Sequence, residues 1–520
     1  MNPSESKSMG HRVGILILTA ILVVGGLVYV HLQPELETNI KSWMTAAILV
    51  GALLLAVLWF ILLSRLNIRA RLITALALLG MGFGARALVR VDGTIDGGGL
   101  PRLAWKWTPH HEVTLDKSDV TIAPSLNIAA PPGAADVPQF FGPQRDGIVR
   151  GAKLVEEWGS RPPRQLWRQP IGSGWSAYAV LGGRAYTQEQ RGEDELVTCY
   201  ELLTGRLLWS HSDHVRFSQW QGGDGPRATP TMDGGRVFTV GATGILNCLD
   251  AATGALIWSH DVLHEHKIPN ITWGISDSPL VFDDRVVITG GAAPGPTLLA
   301  FHRETGALLW KSGSQKASYS SPVLAIIAGR RVIVTLNAAA MSIADAGTGV
   351  VLLEEPWKDE KMPKAAQPVV LDGDRVFISA GYGYGCTMFQ IKPMPEGKFV
   401  ATELWANNKL KAQFNSVAVR DGYFYGLDDG SMACVDTATG TRKWKEGRYG
   451  SGQSLLVDDM VLIQSERGPV VLMKATPEGC RERGRIEALS SKTWNHPVLA
   501  GRYLLVRNDQ EAACYELPVK

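Results

Sequence analysis

Cys199-Tyr-Glu-Leu-Leu-Thr204-Gly205-Arg-Leu-Leu-Trp209 returns as Cys248-Leu-Asp-Ala-Ala-Thr253-Gly254-Ala-Leu-Ile-Trp258 and as Ala300-Phe-His-Arg-Glu-Thr305-Gly306-Ala-Leu-Leu-Trp310. It returns once more as Cys434-Val-Asp-Thr-Ala-Thr439-Gly440-Thr-Arg-Lys-Trp444. Self-similarity at this period marks a solenoid, a propeller or an array. Runs such as Arg236-Val-Phe-Thr-Val240, preceded by Asp233-Gly-Gly235, read as short strands joined by tight turns. The Thr-Gly step suits a hairpin whose turn ends at positive φ, where glycine meets no steric penalty. Asp250, Glu304 and Asp436 can accept hydrogen bonds from the turn amides. The Trp four residues beyond each Gly then falls on the last strand, where its ring fills the gap to the next unit. A helical solenoid is disfavoured, because no run repeats at helical spacing.

The count of units decides closure. Gly205, Gly254, Gly306 and Gly349 follow one another at intervals of 49, 52 and 43 residues, and Gly440 lies two units beyond Gly349. The unit between them is degenerate but keeps Leu404-Trp405. Two strand sets follow Trp444, one from about Ser454 to Ile486 and one from Trp494 to the end. The last stops at Ala513-Cys514-Tyr-Glu516 with no Thr-Gly-Trp strand after it, and Arg164-Gln-Leu-Trp167 supplies the match at the other end. Pairing the first strand with the last three removes the exposed sheet edges. The expected fold class is therefore all-β: an eight-bladed β-propeller of four-stranded antiparallel blades, with Trp167 beside Cys514.

The chain ahead of the repeat is apolar. Val13–Val30 and Trp43–Leu63 are uncharged runs of 18 and 21 residues, each long enough to span a bilayer as a helix. No small-x-small cleavage site follows the first, which argues against a removed signal peptide. Leu72–Val89 makes a third span if Arg86, near one end, snorkels to the interface. Lys7 and Arg12 precede the first run, Glu35, Glu37 and Lys41 separate it from the second, and Arg65, Arg69 and Arg71 follow. The positive-inside rule puts the N-terminus and the 64–71 loop in the cytoplasm. Three spans then place the propeller in the periplasm, anchored to the inner membrane, whereas two would leave it cytoplasmic. The expected division is an anchor over 1–91, a Gly- and Pro-rich linker over 92–138 and the propeller over 139–520. In the linker, Leu103-Ala-Trp105-Lys-Trp107 suits either the membrane interface or the side of the large domain.

At its Thr-Gly-x-x-x-Trp repeats the chain resembles the pyrroloquinoline-quinone (PQQ) type β-propeller family, whose blades carry Ala-x-Asp-x-x-Thr-Gly-x-x-x-Trp. Gln139-Phe-Phe-Gly142-Pro-Gln-Arg145-Asp146-Gly147 is also similar to the opening segment of membrane-anchored bacterial members. The resemblance implies one of two activities. Quinone-dependent alcohol and sugar dehydrogenases clamp PQQ under a disulfide between adjacent cysteines and hold Ca²⁺ with acidic and amide ligands. Non-catalytic scaffolds similar to the outer-membrane assembly lipoprotein bind partners. No two of the six cysteines here are adjacent, and no Cys-x-x-Cys-His haem site exists. The expectation is thus a scaffold with no cofactor, with a PQQ- and Ca²⁺-dependent oxidoreductase as the alternative. Cys199, Cys248, Cys434 and Cys514 share one slot in four blades, too far apart to bridge, and read as buried core residues.

Lys and Arg number 52 against 50 Asp and Glu, a net charge of +2, so no global field argues for nucleic acid. In a propeller, the loops entering each innermost strand and those joining the second and third strands converge on one mouth. The candidate ligand-binding residues there are Glu189, Arg191, Trp220, Arg227, Trp273, Tyr319, Asn415, Arg448, Gln453, Trp494, Asn495 and Arg507. Aromatic, arginine and amide side chains of this kind suit a peptide, a glycan or a small anion, and they equally suit tying loops together. His260, His264 and His266 lack a further ligand at zinc spacing. Gly381-Tyr-Gly383-Tyr-Gly385 has no helix after it, so no dinucleotide fingerprint is assigned, and Asp428-Asp429-Gly430 reads as a hairpin turn. No nucleophile elbow, Walker loop or His-Glu-x-x-His is present, so neither catalytic residues nor a metal site are expected.

Overall fold

The computed structural model describes residues 3–33, 36–64, 66–111, 115 and 128–520, the side chains of residues 3–13 excepted. Glu35, Arg65, the side chains of Lys7 and Arg12, and much of the expected linker lie outside the described residues. The chain divides into two compact units, Met1–Pro109 and His110–Lys520.

The first unit holds α1 (Pro3–Leu32), α2 (Thr38–Leu63) and α3 (Ile68–Leu88). Among the described residues these three helices are long and apolar enough to cross a membrane, with mean hydropathies of 2.5, 2.9 and 1.4 over their apolar stretches. Their apolar side chains are largely exposed all round, the pattern of helices whose solvent is lipid. Arg71 folds back to donate to the carbonyls of Ile61, Leu62, Ser64 and Leu66, satisfying the open end of α2. Asn67 caps α3 by accepting from the Ala70 amide at 2.8 Å. Across the boundary of the expected anchor and linker, β1 (Val89–Thr94) and β2 (Pro101–Trp105) pair as an antiparallel ribbon, whose turn uses Gly97-Gly98-Gly99.

In the second unit, eight four-stranded antiparallel blades form the propeller among the described residues. They are blades 1 (179–213), 2 (231–261), 3 (280–312), 4 (323–356), 5 (369–407), 6 (418–446) and 7 (453–486), and blade 8 (498–516), completed by β4 (Arg164–Pro170). β3 (Ile148–Val149) adds a short parallel strand beside blade 7. The ring closes as the repeat predicts: β4 pairs with Glu511–Glu516, and Trp167 lies directly opposite Cys514.

Each repeat Trp sits across its own sheet from a small or soft residue, as in Cys199 with Trp209, Cys248 with Trp258, Ala300 with Trp310, Met388 with Trp405 and Cys434 with Trp444. Its ring then covers the Thr-Gly turn of the next blade. A Cβ on Gly205, Gly254, Gly306, Gly349 or Gly440 would lie within 2.9 Å of Trp167, Trp209, Trp258, Trp310 and Trp405 respectively. Four of these indoles, and that of Trp444, also donate Nε1–H to a carbonyl of the following blade, such as Trp209 to Ala251 at 3.2 Å. The repeat is therefore an inter-blade joint. All six cysteines are free, and all but Cys480 are buried.

The segment 128–158 threads across the end of the ring that carries the Thr-Gly turns. Val137 bridges Val180 of blade 1, and Ile148 pairs with Leu456 of blade 7. Between them Arg145 is buried, donating to the carbonyls of Pro279 and Ser278, while its own carbonyl accepts from Gln367 at 2.7 Å. Burial lowers the Arg145 pKa to about 10, with Asp277 pulling the other way.

Candidate functional site

The opposite end of the ring is built from the connections between blades, and there the side chains form an arc of aromatic rings. Phe414 and Trp494 lie 5.0 Å apart between ring centres, and Trp494 and Trp175 lie 4.8 Å apart. Trp175 then packs on Gly223 while Trp273 packs on Gly222, so the 220–227 loop is held between two indoles. Gly223 is required twice over, by its φ of +78° and by the indole 3.0 Å from where a Cβ would stand. Trp273 continues the arc to Tyr319 at 5.5 Å. Burial pushes the Tyr319 hydroxyl up to about 12.

Charge is set into this arc. Lys492 Nζ lies 4.2 Å from the Trp494 ring centre and 5.1 Å from that of Trp175, within cation–π range. Trp494 Nε1 donates to Glu466 at 2.7 Å, and the Ser451 amide donates to the same carboxylate at 3.0 Å. Arg227 lies 4.4 Å above Phe217 and donates to the carbonyls of Gly222, Gly223 and Gly225. Desolvation lowers the Arg227 pKa to about 10.

The twelve residues anticipated at the mouth separate into two layers. Trp220 and Arg448 are exposed, and Arg227, Trp273, Tyr319 and Trp494 are half-buried in the rim. Glu189, Arg191, Asn415, Gln453, Asn495 and Arg507 are buried beneath it, and their hydrogen bonds go to the protein itself. Gln453 donates to the carbonyls of Phe414 and Trp494, both at 2.9 Å, and Asn495 to those of Gly174 and Ser176. Asn415 donates to the Leu427 carbonyl at 3.2 Å. Glu189 accepts from Arg191, from Tyr200 at 2.6 Å and from the Gly172 amide. Arg507 crosses from blade 8 to blade 1, donating to Thr187, Gln188 and Gly172. Burial alone would raise the Glu189 pKa, but Arg191 and Arg507 with the Tyr200 hydroxyl and the Gly172 amide hold it below the usual carboxylate range. These charges clasp the ring where its ends meet.

Sequence reasoning missed Trp175 and Lys492. Trp175 stands ahead of the first complete blade, and the lysine is separated from the anticipated Trp494 by a single residue. Lys364, also missed, is buried with its Nζ on the carbonyls of Ala338 and Asp359, and burial brings its pKa down to about 8. His260 bonds Glu265 at 2.9 Å and the Gly306 carbonyl at 2.8 Å, and among the described residues no cluster of three or more His, Cys, Asp or Glu has metal-site geometry.

Three buried acidic residues, Glu189, Asp428 and Asp277, are committed within the protein. Glu189 is committed to two arginines and a tyrosine. Asp428, read as a turn residue, does end a hairpin, but it is fully buried and gathers Lys411, Arg442 and Lys445 at 3.3, 3.0 and 2.8 Å. Asp277 accepts from the amide and hydroxyl of Thr289. Each of these three carboxylates has its counter-charge or donors, so none of the three offers a free pair of oxygens to a cation.

Residues 193–446 match the family model described as outer membrane protein assembly factor BamB. BamB from Moraxella catarrhalis is similar in structure, with a TM-score of 0.51 at 14% identity over 68% of this chain and 100% of that one. Quinohemoprotein alcohol dehydrogenase from Comamonas testosteroni gives a TM-score of 0.53 at 12% identity, covering 79% of this chain and 83% of its own. Both likenesses show the fold alone. No curated protein sequence matches the chain.

Proposed function

We propose that this chain, which belongs to the PQQ-like eight-bladed propeller repeat family, works as a membrane-anchored binding or assembly scaffold. The observation that carries this reading is the arc from Phe414 through Trp494, Trp175 and Trp273 to Tyr319, with Lys492 set against it. Half-buried aromatic rings with a polar margin supply contact area at little entropic cost, as at binding hot spots. A protein segment or a glycan is the partner class that such a surface suits, because both offer extended faces to stack on indole rings. No reaction is assigned to the rim. The three apolar helices anchor the chain, and an odd number of spans puts the propeller across the membrane from the N-terminus, in the periplasm if that end is cytoplasmic.

The test is affinity capture from membranes by the detergent-solubilised full chain, comparing wild type with Trp175→Ala/Trp494→Ala. A partner retained by the wild type and lost by the variant supports the reading. Equal recovery would overturn the rim as the site. Tight PQQ binding in the presence of Ca²⁺ with alcohol-dependent dye reduction would replace the scaffold by an oxidoreductase.

A further inference from the structure

The ribbon β1–β2 is two-faced. Its register puts Val89 opposite Trp105 and Val91 opposite Leu103, so these four side chains share one face, while Arg90 pairs with Ala104 on the other. The apolar face is bare: Val91, Leu103 and Trp105 are 49%, 66% and 51% exposed. Trp107 extends it by stacking on Trp105, ring centres 5.0 Å apart and planes 9° apart. The charged face is internally matched, with Asp92 3.6 Å from Arg90 and 3.5 Å from Arg102.

This ribbon has a fixed place on the helices. α3 ends at Leu88 and β1 starts at Val89 with no linker, and the Lys106 amide returns to the Leu88 carbonyl at 2.9 Å. The two tryptophans are therefore level with the end of α3. At the other end of the ribbon, Gly98 and Gly99 lie against Ser42 and Trp43 in the first turns of α2. A helix of 21 residues is ~31 Å long, which matches the hydrocarbon thickness, so its end falls at the headgroup boundary. That is the depth at which Trp side chains are favoured, with an apolar ring body and a polar N–H.

From this placement we infer that the ribbon is an interfacial lipid anchor: its Val91, Leu103, Trp105 and Trp107 face rests in the headgroup region of the bilayer that the helices cross. In this placement the arginines of the opposite face point to water and lipid phosphates. The inference rests on the membrane-anchoring reading of the three helices.

Spin labels on the full chain in phosphatidylcholine–phosphatidylglycerol nanodiscs test it, in a Cys480→Ser background because the other native cysteines are buried. Leu103→Cys reports the apolar face, Ala104→Cys the charged face, and Phe83→Cys, on an exposed position of α3, the bilayer itself. We expect the ratio of oxygen to nickel-chelate accessibility at 103 to approach that at 83 and to exceed that at 104 several-fold. Equal ratios at 103 and 104, or a label at 103 shielded from both reagents because protein covers it, would overturn the inference while leaving the anchoring intact. A water-exposed label at 83 would overturn both.

Discussion

Trp158 packs against Gly484 so closely that a Cβ there would stand 2.6 Å from the indole. Gly484 lies opposite Leu472 at the position where six of the other seven blades carry their joint Trp, blade 4 having Leu353 there. Blade 7 therefore takes its Trp from the segment ahead of the propeller, and Trp158 is buried among Leu489, Leu504, Tyr515 and Leu517. Trp158→Ala is expected to cost about 3–5 kcal/mol, the price of an indole-sized cavity. Gly484→Val should be comparably harmful, because the added atoms meet a ring that cannot retreat. Denaturant unfolding of the detergent-solubilised chain measures both, and unaltered midpoints would show that blade 7 needs no borrowed ring.

The clasp at ring closure gives a second expectation. Glu189→Gln leaves Arg191 and Arg507 buried without their shared carboxylate, a loss of about 3 kcal/mol. Because the folded-state pKa of Glu189 is depressed, its contribution is full above the unfolded value, about 4.3, and is lost as pH falls through the lower folded value. Wild type and Glu189→Gln should thus converge in stability below about pH 4. A constant difference down to pH 2 would contradict a charged Glu189.

Glu195 has the opposite sign. Burial raises its pKa to about 7, although it accepts from the Ala242 amide at 3.1 Å and feels Arg227. The folded state holds this proton between about pH 4.3 and pH 7 while the unfolded state does not, so stability falls as pH rises through that window. Glu195→Gln keeps an acceptor for Ala242 and removes the charge. Its gain over wild type should grow from pH 5 to pH 8 and reach roughly 3 kcal/mol. Urea midpoints of the two proteins at those pH values decide it, and a flat difference would mean that Glu195 titrates normally.

The joint residues were legible because spacing alone specifies them. Gly205 and Trp209, or Gly440 and Trp444, recur in one register, and that register needs both a turn at positive φ and a ring on the strand that follows it. Trp167 was legible for the same reason: a missing strand at one end of a ring must be supplied by the other. The site was less so. Glu189 and Arg507 hold the residue types of a binding site, yet their partners come from Gly172, Thr187 and Tyr200, whose proximity depends on how two blades meet. Trp158 lies outside the repeating register, so no neighbouring unit marks its position, whereas Trp175 stands four residues before the innermost strand of its blade, as Tyr319, Phe414 and Trp494 do in theirs, a signal that could have found it. The ribbon over Val89–Thr94 and Pro101–Trp105 was hidden by its glycines, which read equally as a tether or as a turn.

Arg145 carries the last expectation, because it holds the leading segment to the ring. Its guanidinium reaches the carbonyls of Pro279 and Ser278 at 3.0 and 3.1 Å from a buried position. Arg145→Ala takes the guanidinium donor from the Ser278 carbonyl, a loss of about 1–3 kcal/mol, while the Pro279 carbonyl keeps the Thr231 hydroxyl at 2.7 Å. It also removes the positive charge that restrains the Asp277 pKa, which burial already raises. Arg145→Lys keeps the charge but has no planar fork to bridge two carbonyls, so it should recover only part of the loss. The order of stability expected is wild type, then Lys, then Ala, and limited proteolysis between residues 128 and 160 should accelerate in the same order. Cleavage there at one rate in all three proteins would show that Arg145 does not secure the segment.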